Sequence, residues 1–109
     1  MTADPSPDHL QKILLEAVFA DKLTPQAAAA KAIREHPDAP LLTWVFVLTN
    51  IAVELQTSFV AEENWSYADW LEAAASLGCD IYALDAMGHA RPRGHDLAAL
   101  WAKGDPHLI

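Results

Sequence analysis

A chain of 109 residues, 52% hydrophobic and 20% charged, is long enough to bury one core without metal or disulfide staples and too apolar to be a disordered segment. Its net charge of −8 gives phosphate no natural partner and argues against nucleic-acid binding. The lone Cys79 excludes an internal disulfide and fits a reducing compartment.

The charge is unevenly placed. Between Arg34 and Arg91 there is no lysine or arginine, while nine carboxylates fall there: Glu35, Asp38, Glu54, Glu62, Glu63, Asp69, Glu72, Asp80 and Asp85. Mimicry of nucleic acid would need such carboxylates closely spaced on one face. Only Glu62 and Glu63 are adjacent, and only Asp69, Glu72 and Asp80 form a helical stripe. Solvated carboxylates that favour solubility are the simpler account. The opening sequence MTADPSPDHL lacks the basic start and apolar run of a secretory signal, so a cytoplasmic protein is expected. The uncharged stretch 39–53 is shorter than the roughly 20 residues of a membrane-spanning helix and contains Thr49 and Asn50. It reads as a core helix, and no membrane partner is expected.

Three helix starts share one device, a proline in the first turn behind a small or capping residue. Proline has no N–H to lose there, and its fixed φ already suits a helix. Ser6-Pro7 opens the first helix, about 7–21, with Leu10, Ile13, Leu14, Ala17 and Val18 on one face. Leu15 and Phe19 form a second apolar pair off that stripe. Thr24-Pro25 opens the second, about 25–35, an alanine-rich helix anchored by Leu23 and Ile33. Its entry loosely resembles a helix-turn-helix, but it lacks base-reading side chains.

Pro40 opens the third, about 40–61, ending near Glu62. Thr43, Asn50, Glu54 and Thr57 make one narrow polar stripe, and nearly every other direction is apolar, so this helix is expected to be surrounded by others. Ser66 and Asp69 suggest a capping box for the fourth helix. Tyr67, Trp70, Leu71, Ala74, Leu77, Gly78, Ile81 and Leu84 keep one face across the glycine, which favours one long helix stopped by Gly88. Residues 94–96 lead into a short fifth helix, with Gly104 at its C-terminal cap.

The expected architecture is therefore a single all-α domain over 1–109, with flexible ends at 1–6 and 105–109. It is a bundle of five helices, six if Gly78 divides the fourth, around a central apolar helix at 40–61. Of the four tryptophans, Trp44 and Trp70 read as core, Trp101 as docking the fifth helix, and Trp65 as a surface anchor.

One constellation stands out. On a continuous fourth helix, Asp85 falls on the apolar face, and a carboxylate there needs a partner or a neutral form. His89 lies one turn on, and Arg91, Arg93, His95 and Asp96 follow. The set reads either as a structural lock, in which Asp85 accepts from His89, Arg91 or Arg93, or as a ligand site. Asp85 and His89 have the i, i+4 spacing of two metal ligands, with His95 or Asp96 to complete the set. The paired Glu-x-x-His motifs of di-iron bundles are absent, and no metal or other cofactor is expected. Arg91 and Arg93 flanking Pro92 are a phosphate-contact motif, but a weak one beside so acidic a segment. Cys79 has no base near it in sequence, no serine stands in a nucleophile elbow, and no glycine-rich phosphate loop occurs. No catalytic residues are assigned, and no motif is specific enough to carry a family resemblance.

The function expected is binding without catalysis, to a protein partner or to a second copy as a homodimer. Leu15, Phe19, Trp65 and the face of the third helix are the candidate interface. The alternative is a small-molecule or metal-binding module at the Asp85 to Asp96 junction.

Overall fold

The first two helices begin where their caps predict. The computed structural model describes residues 6–57 and 67–97. Helix α1 (Pro7–Phe19) starts behind Ser6, whose hydroxyl accepts from the His9 backbone N–H at 3.2 Å. Helix α2 (Pro25–Glu35) starts behind Thr24, whose hydroxyl accepts from the Ala27 N–H at 3.0 Å. Each cap satisfies one of the N–H groups that a helix start leaves without an internal partner. Helix α3 (Leu41–Thr57) begins directly after Pro40, and helix α4 (Tyr67–Ala86) runs unbroken through Gly78. A 3-10 turn at Gly94–Asp96 completes the described elements, which include no membrane-length apolar helix.

The core forms where these helices meet. Ala28, Ala29, Ala32 and Ile33 of α2 are buried chiefly between α1 and α4, and Leu10, Leu14, Ala17 and Val18 of α1 pack toward the inner face of α3. That face supplies Leu41, Trp44, Val47, Leu48 and Ile51, and its most extensive packing is against α4 through Trp70, Ala73, Leu77 and Leu84. Each buried leucine or isoleucine contributes about 1.5–3 kcal/mol relative to exposure. Trp44 and Trp70 are core residues as expected. The Trp44 ring tilts beside His36 with centroids 6.4 Å apart. The α1–α3 seam is tied by a polar triad, in which the Asn50 amide donates to Gln11 at 2.9 Å and to Glu54 at 3.2 Å, and Gln11 donates to Glu54 at 3.3 Å.

Three expectations are corrected. The described residues hold four α-helices where five or six were expected: α4 does not divide at Gly78, and beyond the 3-10 turn and Leu97 the expected fifth helix lies outside the described residues. Second, α3 is not surrounded, because Leu42, Phe46 and Val53 are exposed along one side. Among the described helices, α1 and α4 pack on its inner face and leave that side to water. Third, the buried face of α4 runs through Trp70, Ala73, Leu77, Asp80 and Leu84, rotated by about 60° from the one read in the sequence. Asp80, read as solvated, is 0% exposed and not without a partner, whereas Asp85, read as core-facing, is exposed.

The expected flexible ends apart from Ser6, the end of the third helix near Glu62, the Ser66 cap, Trp65, Trp101 and Gly104 lie outside the described residues.

Candidate functional site

The chain after α4 reverses on a glycine. Gly88 takes φ +96°, and the His89 N–H donates back to the Leu84 carbonyl at 2.9 Å, the six-residue closure of a Schellman-type stop. Arg91 follows with φ +50°, the left-handed region that non-glycine residues rarely occupy. The next residues are then stitched to the corner between α2 and α3. The Leu41 N–H donates to the Pro92 carbonyl at 2.9 Å, the Gly94 N–H to Ala39 at 3.2 Å, and the His95 N–H to Pro37 at 3.0 Å. Gly94 lies so close to this corner that a Cβ there would stand 2.9 Å from the Pro37 Cα and 3.0 Å from Ile33 Cγ2.

Asp96 is the hub of the polar cluster. It accepts from the Arg93 N–H at 2.7 Å, and the His89 and His95 rings approach it at 3.5 and 3.4 Å. The Arg93 guanidinium donates to the Asp38 carbonyl, and the other His95 nitrogen stands 3.9 Å from the Asp38 carboxylate. The lock expected at this junction therefore exists, but Asp96 is its acceptor and Asp85 takes no part. The reason is the rotation of α4, which turns Asp85 away from the corner. No group of three or more potential ligands is placed to hold a metal ion among the described residues.

Asp85 instead lines a groove. Residues of the N-terminal half of α3 and the C-terminal half of α4, with Pro7, Arg91 and Pro92, line a cavity of about 680 Å³. Leu42, Phe46, Ile81, Tyr82 and Pro40 give it an apolar wall, and Gly78 leaves its floor without a side chain. Its edge carries one acid, Asp85, and one base, Arg91. Neither side chain has an ion-pair partner among the described residues. Leu42 is 67%, Phe46 57% and Tyr82 77% exposed.

The five residues predicted for the site thus separate into two groups. Asp85 and Arg91 both line the groove without pairing, while His89, Arg93 and His95 belong to the corner. Of the predicted interface pair, Phe19 is exposed and Leu15 is half-buried against the core. Both line a shallower depression of about 540 Å³ on α1, edged by Asp8, Lys12 and Glu16. The sequence reading missed Tyr82 and did not single out Leu42 and Phe46. The available signal was the apolar excess of α3, which exceeds what its neighbours can bury. Compared with protein-family models, curated proteins and solved structures, the chain matches none.

Proposed function

We propose that this protein is a non-catalytic cytoplasmic module that works by binding a protein surface, a second copy or another chain, through the groove between α3 and α4. The observation that carries this reading is the gathering of Leu42, Phe46 and Tyr82 around one groove, all with more than half their surface in water. Scattered exposed apolar residues need no explanation, but a contiguous set does. Aromatic side chains are the usual anchors of protein interfaces, because they offer large rigid areas at small entropic cost.

A photo-crosslinking amino acid placed at position 46 in the native host tests this. Protein adducts are expected from position 46 and not from the exposed Arg34 position on α2. Absence of any protein adduct from position 46 overturns the proposal. A second reading, a small amphipathic ligand, is favoured by the cavity volume, which falls within the roughly 300–1,000 Å³ of ligand pockets. Ligand-observed NMR with small aromatic acids tests it, with loss of signal broadening in Tyr82→Ala as the expected result.

A further inference from the structure

We infer that the occupant of the groove is a second copy of this chain, docked about a two-fold axis so that Asp85 of each protomer meets Arg91 of the other. This inference rests on the protein-binding reading above and names its partner.

Charge complementarity carries it. The groove presents one carboxylate and one guanidinium, each without an ion-pair partner among the described residues. A uniformly acidic partner would be opposed by Asp85, and a uniformly basic one by Arg91. A partner that carries both signs, separated as they are here, pairs with both groups at once. A second copy does so by construction, because in a two-fold interface residue i meets j and j meets i. Both ion pairs would form at once, and Leu42, Phe46 and Tyr82 of the two copies would fill the space between them.

Two further observations agree. Lysine and arginine are absent from Glu35 through Ala90 and return at Arg91, in a protein of net charge −8. Two such molecules repel at long range, so a contact must bring its own cation. Arg91 is also held in a left-handed backbone conformation next to the buried Pro92. This fixes where its side chain leaves the turn.

The exposed rings favour a weak dimer. At about 150–250 Å² for each ring, Phe46 and Tyr82 together offer on the order of 250 Å² per protomer. With Leu42 and its counterpart, the apolar contact stays near the lower end of specific interfaces, below about 1,200 Å².

Sedimentation equilibrium of the full chain at low salt tests the proposal. The wild type is expected to dimerise reversibly. Asp85→Arg and Arg91→Asp should each weaken dimerisation by about tenfold or more, since each creates two like-charge contacts. The double variant carrying both changes should dimerise again. An equimolar mixture of the two single variants should form a one-to-one heterodimer, because only that pairing opposes unlike charges. Both positions are exposed, so circular dichroism should show every variant folded. A wild type that stays monomeric at every concentration overturns the inference, as does a single reversal that dimerises like the wild type or a double variant that does not recover. If self-association fails while position 46 crosslinks to a chain of another mass, the protein-binding reading survives alone. If neither occurs, both fall.

Discussion

Two sides of one short segment behave in opposite ways. Residues 93–96 are pressed onto the α2–α3 corner, where backbone donors, the Arg93 guanidinium and the Asp96 carboxylate all find partners inside the chain. Arg91 and Asp85, at the neighbouring groove, find none among the described residues, and the large side chains around them stay in water. Polar groups that are satisfied internally hold a fold together, whereas charges left unpaired beside apolar surface offer binding energy to something else. The corner is therefore structural, and the groove is where the proposed function lies.

The largest effect that separates the two sides comes from adjacent leucines. Leu41 is fully buried and its N–H holds Pro92, while Leu42 faces the groove. Leu41→Ala should cost about 2–5 kcal/mol in urea unfolding. Leu42→Ala should stay within about 0.5 kcal/mol and act on association instead. Equal losses at both positions would erase the distinction.

Gly94 comes next. Its replacement by alanine drives a Cβ into the Pro37 backbone, and the expected cost is about 1–3 kcal/mol. A variant as stable as the wild type would mean that the corner gives way freely. Asp96→Ala removes the acceptor of the Arg93 N–H and the neighbour of both histidines, for an expected loss of about 1–2 kcal/mol. On the groove side the sign reverses. A Cβ at Gly78 meets nothing within 4 Å, so Gly78→Ala should raise the unfolding free energy by about 0.5–1 kcal/mol through helix propensity.

The smallest effect belongs to neither side and calibrates them. The Lys31 ammonium donates to Asp21 at 3.0 Å, and this hydrogen bond, with the Asp21 charge behind it, raises the lysine above its ordinary value of 10.5. A raised lysine contributes stability that is fully present below the unfolded value and is lost as pH rises through the folded one. NMR titration of Asp21→Asn should show Lys31 returning toward its ordinary value. Neutral-pH stability should barely change, since both groups are exposed to solvent.

Much of the fold was legible in the chain because the signals were local. The Ser6-Pro7 and Thr24-Pro25 pairs mark their helix starts through contacts three residues long, and the inner face of α1 follows from simple spacing. The continuity of α4 through Gly78 was also readable, since one interior glycine removes only about 1 kcal/mol from a helix of this length. The site was legible only in part. The 85–96 junction does hold a polar cluster, but its acceptor is Asp96 and not Asp85, which is exposed. Leu71, Ile81 and the assumption that acids face water drew the apparent apolar face of α4 toward Asp85. Ala73, too small to give a strong signal, and the buried Asp80 mark the true one.

The sequence by itself determined that this is an all-α protein, where α1 and α2 begin, and that α4 stops at Gly88. Caps, prolines and a left-handed glycine act within a single turn of chain and need no neighbours to be read. Tertiary structure alone decided how far α4 is rotated, which side of α3 goes uncovered, and which of two nearby aspartates is left facing a groove. Those outcomes depend on how many helices pack around each element and from which direction. A helix carries its own apolar pattern, but only its neighbours decide how much of that pattern water still reaches.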